Sequence, residues 1–468
     1  MAIITCSHCG KQISSRVEVC PYCNTTLSTP SKQKVSARSI GRKFYLALVI
    51  FSLIGQVAWV VENMYLNVFI YKMFNASADQ ISLMVGASSV AATITTLLIG
   101  ALSDKIGKRK IFICGGYILW GISILGFAAI RADLVHGLFF PAMSQTTATL
   151  SLCITLTIAL DCIMTFFGSS ANDAAFNAWL TDSTDETNRG KVEGINAMMP
   201  LVAILVVFGG FMGLNQDLQE SWTIIFCVIG SVVLLLGIAG IFLIEDSKVK
   251  TEGNGNYFAN IFYGFRPSVI KSNLKLYIAL IVYALFNIAI QIYMPYLILY
   301  YNVSLAMDNY VLIMAPAILL AAIFTAIYGQ VYDKKGFGFA IIPVMALLMG
   351  GFAILFFFKD VVMVFIGSLL MMCGYLSGMA VFGALIRDYT PDNKAGMFQG
   401  LRICFQVLIP GIAGPAIGAA VLANADKILN GDGTYSFIPN ENIFLAAFIA
   451  AAVTVIGLLP LCKLLKKK

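Results

Sequence analysis

The stretch GALSDKIGKRK, residues 100–110, places one aspartate and a cluster of lysine and arginine between two long apolar segments. The segments before it (81–99) and after it (111–130) are each long enough to cross a hydrocarbon core of about 30 Å as a helix. A charged run between two such segments predicts a short hairpin that joins transmembrane helices. The stretch therefore indicates a helical membrane protein rather than a soluble domain.

The composition of the whole chain supports this interpretation. Of the 468 residues, 59% are hydrophobic and only 12% are charged, and the mean hydropathy is +0.85. The alternating segments of a membrane β-barrel do not occur in the sequence. We predict an all-α membrane protein with twelve transmembrane helices. The apolar segments begin near residues 44, 81, 111, 150, 195, 222, 276, 310, 338, 360, 401 and 442.

The distribution of basic residues predicts the orientation of the chain. If the segments cross alternately, only Lys72, Arg131, Lys359 and Lys427 of the 31 Lys and Arg lie opposite the termini. Basic residues concentrate on the cytoplasmic side, so we expect a multi-pass protein of the cell (cytoplasmic) membrane with both termini in the cytoplasm. This bias and a basic tail against the lipid bilayer account for the net charge of +7, so no nucleic-acid partner is expected.

Four cysteines near the N-terminus, in CSHCGKQISSRVEVCPYC, have the spacing of a metal site. Two C-x2-C pairs present four thiolates to one tetrahedral ion, which predicts structural Zn2+ in a zinc ribbon over residues 1–25, followed by a basic tether over 26–43. The alternatives are reduced thiols or two disulfides, which a cytoplasmic location disfavours. A cytoplasmic protein partner and metal sensing both stay open as roles. The expected ligands are Cys6, Cys9, Cys20 and Cys23.

The charged hairpin has a second copy later in the chain. Residues 329–336, GQVYDKKG, share the pattern G-x3-D-K-x-G with residues 100–107. Residues 386–400 also align without gaps with residues 180–194. Two pairs of matching segments at similar offsets predict an internal duplication. We therefore expect two six-helix parallel repeats.

This organisation predicts an N-terminal half over 44–244, a cytoplasmic linker over 245–275 and a C-terminal half over 276–468. Two such halves with this hairpin between spans two and three resemble the major facilitator superfamily. The resemblance implies a secondary active transporter that works by alternating access, and not an enzyme. No nucleotide is expected, because six residues separate the glycines of 100–107, rather than the four of a phosphate-binding loop.

The resemblance also implies a gate, since in that family the hairpin latches the halves on the cytoplasmic side. Gly100 would let span two approach a neighbouring helix closely, and Asp104 would face a helix N-terminus or an arginine. The alternative is a loop that only sets the topology. The expected gating residues are Gly100, Asp104, Lys105, Gly107, Arg109, Asp182, Arg189, Gly329, Asp333, Lys334, Asp388 and Arg402.

Within the superfamily, two segments resemble the glycoside–pentoside–hexuronide cation symporters and the related sucrose carriers. They are the LTD of residues 180–182 followed by Arg189, and MYLNVFIY at residues 64–71. The resemblance implies sugar transport by symport, with a sugar or glycoside as the small-molecule substrate and a proton or another coupling cation. The sequence departs from the sodium-using carriers in two places. Span two has serines and threonines where those carriers have carboxylates, and Gln56 stands at the position of their span-one acid.

Acidic residues within the apolar segments are functional candidates, because an ionisable side chain in the bilayer is costly. Glu62, beside Asn63, is the expected proton carrier or substrate contact; the alternative is a protonated residue that packs helices. Asp173, beside Asn172, is expected at the cation or sugar site, or else in a cytoplasmic salt bridge. Asp161 precedes Asp173 on the same helix by about 18 Å, which is too far for one ligand to contact both aspartates easily.

Span seven carries a polar stripe with helical spacing. Tyr283, Asn287 and Gln291 follow at i, i+4 and i+8, which suits a polyhydroxylated ligand, and hydrogen bonding between helices is the alternative. The expected substrate and cation site comprises Gln56, Glu62, Asn63, Asp161, Asn172, Asp173, Tyr283, Asn287 and Gln291.

Two other functions fit the same architecture. An efflux carrier for amphipathic compounds would share the fold with a more apolar cavity. A transporter-like sensor would signal through the zinc ribbon. A membrane enzyme is not expected, because no metal or nucleophile constellation occurs in the apolar segments.

Overall fold

The computed structural model describes residues 3–5, 12–14, 23, 41–140, 146–184, 188–246, 263–307, 309–390 and 400–466. Twelve of its helices are long and apolar enough to cross a membrane, which confirms the predicted number. Spans one to twelve are Arg42–Phe74, Ala78–Ser103, Arg109–Phe127, Thr147–Ser183, Lys191–Phe211, Gln219–Leu243, Leu274–Ser304, Val311–Lys335, Phe337–Phe357, Val361–Tyr389, Gly400–Leu422 and Asn442–Leu465.

Short elements complete the described chain. A helix at Ala132–Phe139 follows span three, and a helix at Pro267–Ser272 precedes span seven. Strands Ile3–Thr5 (β1) and Gln12–Ser14 (β2) pair antiparallel near the N-terminus. Between spans eleven and twelve, Lys427–Leu429 (β3) pairs antiparallel with Tyr435–Phe437 (β4). Because the number of spans is even, both ends of the membrane domain emerge on one side, called the terminal face below, and β3 and β4 lie at the opposite face.

Glycines set the closest helix crossings in each half. An added Cβ at Gly121 of span three would lie 2.5 Å from a backbone nitrogen of span six, at Leu234. One at Gly351 of span nine would lie 2.4 Å from the backbone nitrogen of Met371 in span ten. Since a Cβ cannot approach backbone atoms so closely, these spans pack at a separation that only glycine allows.

Span eleven packs against both halves through its own glycines. A Cβ at Gly411 would clash with Ser89 of span two, and one at Gly414 would lie 2.4 Å from the Cβ of Gln291 in span seven. Span eleven therefore packs closely on both of these spans. This contact keeps spans two and eleven together at the centre of the molecule, where the halves meet.

Four spans depart from regular α-helix in their interior. Span one has a π-helical turn at Val61–Tyr65, span four at Ser169–Phe176, span seven at Tyr300–Ser304 and span eleven at Cys404–Leu408. Such turns widen the helix and are frequent at functional sites, because they redirect side chains and leave carbonyls without their usual partners. The turns in spans one and four contain the polar residues that the sequence singles out.

Candidate functional site

Spans one, two and four form a buried polar cluster around Glu62. Its Oε1 atom accepts hydrogen bonds of 2.8 Å from Ser88 Oγ and of 2.8 Å from Thr165 Oγ1. The two hydroxyl oxygens are themselves 2.8 Å apart. Ser88 of span two and Thr165 of span four therefore both bind the acid of span one.

Asp161 belongs to the same cluster, which sequence analysis did not predict. It is close enough to interact electrostatically with Glu62 and lies beside Ser88. Both acids are buried, with exposed fractions of 7% for Glu62 and 2% for Asp161. Within the described structure, Glu62 Oε2 and Asp161 Oδ1 have no hydrogen-bond partner. Two acids with unsatisfied oxygens in one buried pocket can hold a proton or a small cation between them, because two neighbouring negative charges there would be costly.

Asp173 and Asn172 lie nearer the terminal face, as their spacing from Asp161 predicts. Asp173 Oδ2 accepts a 3.0 Å hydrogen bond from Ser169 Oγ, and no described lysine or arginine forms an ion pair with it. Asn172 packs on span one, where an added Cβ at Gly55 would lie 2.5 Å from its Nδ2. Asp173 is half-buried, so its carboxylate is more accessible than those of the Glu62 cluster.

The two neutral candidates of span one do not join this cluster. Asn63 is exposed and donates a 2.8 Å hydrogen bond to the carbonyl of Trp59 in its own helix. Gln56 is half-buried one and a half turns before Glu62, on the part of the helix that packs beside Asn172. Glu62 alone among the span-one candidates makes hydrogen bonds to other spans.

The polar stripe of span seven is partly used inside the protein. Asn287 Nδ2 donates a 2.8 Å hydrogen bond to the carbonyl of Tyr283, and the Tyr283 hydroxyl contacts Met379 Sδ at 3.3 Å. Gln291 packs against Gly414 of span eleven. Arg402, a predicted gating residue, lies near the start of span eleven with its guanidinium beside the Tyr283 hydroxyl. The stripe therefore borders a cationic group.

The first charged hairpin is held by a buried arginine. Arg109 Nε donates a 3.0 Å hydrogen bond to Asp182 Oδ2, and its Nη1 donates one of 2.5 Å to Ser103 Oγ. Only 3% of Arg109 is exposed. Gly107 has a φ of 71°, the left-handed conformation that favours glycine where the chain leaves span two. Arg109 and Asp182 thus join the ends of spans two, three and four within one half.

The second copy lacks this ion pair. Its aspartate, Asp388, accepts a hydrogen bond from the Tyr332 hydroxyl, and the residue aligned with Arg109 is Gly338. Gly336 repeats the left-handed turn with a φ of 75°. A cavity of about 330 Å³ lies here between spans eight and ten, lined in part by Gly329 and Asp333. The C-terminal half therefore has a tyrosine–aspartate hydrogen bond where the N-terminal half has an ion pair.

The remaining gating candidates are exposed or lie outside the described residues. Lys105, Asp333 and Lys334 are exposed at the terminal face. The side chains of Asp104 and Arg189 lie outside what the structure describes, as do residues Cys6, Cys9 and Cys20 of the predicted zinc site.

The expected close approach at Gly100 is not observed. An added Cβ there would lie 3.9 Å from the Cβ of Ala174, an ordinary contact, and at Gly329 it would meet nothing within 4 Å. Both positions accept alanine without moving a neighbour, so the close crossings of spans two and eight do not depend on these glycines.

The opposite face is closed by contacts between the halves that the sequence did not reveal. Asn75 Nδ2, at the end of span one, donates hydrogen bonds to Thr434 Oγ1 at 2.7 Å and Asp432 Oδ2 at 3.2 Å. The Tyr71 hydroxyl donates to the carbonyl of Phe437, and the Tyr296 hydroxyl to that of Ala78 at 3.1 Å.

A further contact on this side joins Gln216 Nε2 to the Tyr310 hydroxyl at 2.9 Å. Between fully described residues, every hydrogen bond that links the two halves lies at the opposite face. The protein is therefore closed there. We call the contacts of Asn75 and Tyr71 with residues 432–437 the opposite-face lock.

Replacing Asn75 by alanine should loosen this lock. Loss of its hydrogen bonds to the β3–β4 connection should cost about 1 to 2 kcal/mol and shift the closed-to-open ratio by a factor of about 5 to 30. In Asn75→Ala, the distance distribution between spin labels at the exposed positions Asp79 and Ile428 should then contain a larger long-distance population than in the parent protein. The exposed Asn424→Ala is the matched control, and an unchanged distance distribution in Asn75→Ala would refute a locking role.

Comparison with protein families identifies one match. Residues 44–415 match the model described as the Major Facilitator Superfamily. A search of curated proteins found no matching relative.

Several solved structures share the arrangement of this chain. A variant of the nucleoside transporter NupG superposes with a TM-score of 0.65 at 13% identity, covering 89% of this chain and 99% of that one. A bacterial homologue of the human lysosomal transporter Spinster, inward-facing and unoccupied, gives 0.60 at 14% identity, covering 90% and 96%. A D-xylose-proton symporter gives 0.65 at 13% identity, covering 88% and 97%. At these identities the likeness shows the fold alone.

Proposed function

Because this chain belongs to the Major Facilitator Superfamily, and is thus a transporter rather than an enzyme, we propose that it moves a small solute by cation-coupled alternating access. One observation carries the coupling: Glu62 and Asp161 share a buried pocket with unsatisfied carboxylate oxygens. Loading that pocket with a proton leaves it with one negative charge instead of two, so proton binding and the conformation of spans one, two and four depend on each other.

The coupling cation is a proton in this proposal. The Ser88 and Thr165 hydroxyls donate to Glu62 Oε1, whereas Glu62 Oε2 and Asp161 Oδ1 have no hydrogen-bond partner in the described structure. One proton placed between them satisfies both with a single charge. The D-xylose-proton symporter shares the fold, which agrees with this choice at the level of architecture.

The transported solute is a sugar, glycoside or related polyhydroxylated compound. Asp173, Gln56 and the stripe of span seven provide hydrogen-bonding groups of the kind that hydroxyls require. The resemblance to sugar–cation symporters at residues 64–71 and 180–182 supports this class, as does the fold shared with transporters of nucleosides and xylose.

Alternating access follows from the duplication. The opposite-face lock joins the halves on one side, and in this proposal solute exchanges on the terminal face. Following the distribution of basic residues, the terminal face is the cytoplasmic side of the cell membrane. The described conformation is thus inward-facing, and opening to the outside requires the contacts of Asn75 and Tyr71 to separate.

Proteoliposomes with an imposed proton gradient test this function. Labelled hexoses, pentoses and nucleosides should be screened for accumulation, and at least one should accumulate against its gradient until a protonophore collapses it. Equilibration without accumulation, for a solute that the protein does transport, would contradict proton coupling. Accumulation only of apolar cations would instead favour the efflux function.

The N-terminal cysteines are proposed to bind one structural zinc ion. The β1–β2 pairing supports this proposal, because the residues between the two strands include Cys6 and Cys9. Metal analysis of the full chain should find one zinc ion per protein. The double variant Cys6→Ser, Cys20→Ser should lose it, while replacement of the membrane-span cysteine Cys227 by serine should not. Zinc-free protein purified without chelator would refute the site.

If the ribbon serves a cytoplasmic partner, deleting residues 1–40 should abolish capture of that partner and leave uptake unchanged. Loss of uptake in the deleted chain would instead tie the ribbon to transport.

A further inference from the structure

Span eleven carries an arginine in an environment built of neutral groups. Arg402 is half-buried, and its Nε donates a 3.1 Å hydrogen bond to Gln406 Oε1. The guanidinium also lies beside the Tyr283 hydroxyl of span seven. A Cβ added at Gly383 of span ten would lie 3.8 Å from Nη2. Three spans of the C-terminal half therefore surround this cation.

No acidic side chain neutralises Arg402 in the described structure. The other arginine held within the helix bundle, Arg109, is paired with Asp182 at 3.0 Å. The described ion pairs elsewhere involve Lys43, Lys72, Arg131 and Lys359, and none includes Arg402. A guanidinium near the end of a membrane span is stabilised by a counter-ion, and the described residues supply no acidic side chain to Arg402, so this position is suited to a bound anion.

The internal repeat shows that packing does not require an arginine here. Arg402 follows Gly400 by two residues, as Asn196 follows the aligned Gly194. Asn196 Oδ1 accepts a hydrogen bond from Ser52 of span one, so the equivalent spans are joined by neutral side chains in the N-terminal half. The cation is an addition specific to the C-terminal half.

The helix is also opened at this point. The π-helical turn Cys404–Leu408 starts two residues after Arg402, and none of its five residues is fully buried. Gln406, which orients the guanidinium, lies in this turn. The arginine and its amide partner are therefore partly accessible, in a part of span eleven that also contacts spans two and seven.

We propose that Arg402, held by Gln406 and Tyr283, binds an oxyanion group of the transported solute, a carboxylate or a phosphate. The inference rests on the proposed function and narrows its substrate class to anionic polyhydroxylated solutes. A guanidinium forms two parallel hydrogen bonds to such groups, and these charge-assisted bonds are stronger than those to neutral hydroxyls. The hydroxyls of the solute then contact the neutral side chains of span seven.

The anion site and the proton site lie at different depths. Gly411 packs against Ser89, the neighbour of Ser88 in the Glu62 cluster. Arg402 precedes Gly411 by nine residues, which is about 13 Å along a helix. The bound anion and the coupling proton therefore do not compete for one set of ligands.

Matched probes test the proposal in proteoliposomes containing the full chain: glucose, glucuronate and glucose 6-phosphate. Uptake of at least one anion should exceed that of glucose. Greater uptake of glucuronate would indicate a carboxylate site, and greater uptake of glucose 6-phosphate a phosphate site. In Arg402→Gln, the KM for the anion should rise about 10- to 100-fold with glucose uptake unchanged. Arg402→Lys should retain part of the affinity. The exposed Arg387→Gln should behave as the parent protein.

The proposal would be overturned if the parent protein took up glucose in preference to both anions, or bound neither anion. It would also be overturned if Arg402→Gln reduced uptake of the anion and of glucose equally. Thermal unfolding of each variant in detergent shows whether a change in uptake comes from loss of folding. A folded Arg402→Gln with unchanged anion uptake also refutes the proposal. Proton-driven accumulation of glucose would leave the proposed transporter function intact while the anion site fails.

Discussion

Glu62→Gln is expected to reduce proton-driven accumulation to simple equilibration while the protein remains folded. The amide removes the group that takes up the proton, yet its oxygen still accepts the hydrogen bonds from Ser88 and Thr165. Its nitrogen occupies the place of Glu62 Oε2, which has no partner in the described structure, and lies near Asp161. The variant therefore mimics the protonated state permanently.

The measurement compares two transport modes of the same variant. Exchange of labelled for unlabelled solute needs no net proton movement and should persist, whereas uptake against a gradient should stop. Asp161→Asn should impair accumulation as well, because it removes the second acid of the pocket. Asp133→Asn, at an exposed acid outside the spans that pairs only with Arg131, is the matched control. Accumulation by Glu62→Gln at the parent level would show that the proton binds elsewhere.

Arg109→Gln is expected to cause the largest loss of stability among the gating residues. The ion pair with Asp182 is almost fully buried on the arginine side, with exposed side-chain fractions of 4% and 23%. Removing one partner leaves the other charge poorly solvated, and such changes cost up to about 3 to 5 kcal/mol for fully buried pairs. Because Asp182 keeps some access to water, we expect about 3 kcal/mol, measured as the free energy of unfolding in detergent.

A double-mutant cycle with Asp182→Asn isolates the pair. The double variant should recover part of the loss, since neither charge is then left alone. Lys105→Gln, at an exposed residue of the same hairpin, should change the free energy of unfolding by less than about 0.5 kcal/mol. Equal effects of Lys105→Gln and Arg109→Gln would mean that the charge of the hairpin matters only for topology.

The two hairpin copies show why sequence alone predicted the repeat but not its asymmetry. The shared G-x3-D-K-x-G pattern located both copies, and the left-handed Gly107 and Gly336 explain why each needs its second glycine. The first glycine, at Gly100, was interpreted as a packing residue, yet the space around it accepts a methyl group. Whether a glycine serves packing or conformation depends on the neighbouring helix, which the pattern does not contain.

The candidate site divides in a similar way. Glu62, Asp161 and Asp173 were recognisable in the sequence, because charged residues stand out within apolar segments. Their grouping was not: Asp161 and Asp173 lie about three turns apart in span four, yet both are close enough to Glu62 of span one to interact with it electrostatically. Arg402 stands among the gating candidates of the sequence, and only its contact with Tyr283 places it beside the polar stripe.

The sequence by itself determined the twelve spans, because a backbone segment in lipid must satisfy its hydrogen bonds internally and therefore forms a helix. It also determined the duplication, because the repeated segments are visible in the residue pattern. It likewise determined which residues are too polar to lie in lipid without a role. Tertiary structure alone decided which of those residues meet: the Glu62–Asp161 pocket, the opposite-face lock and the surroundings of Arg402. Those contacts join spans distant in the chain, and they depend on the rotation and crossing of whole helices, which hydropathy does not encode.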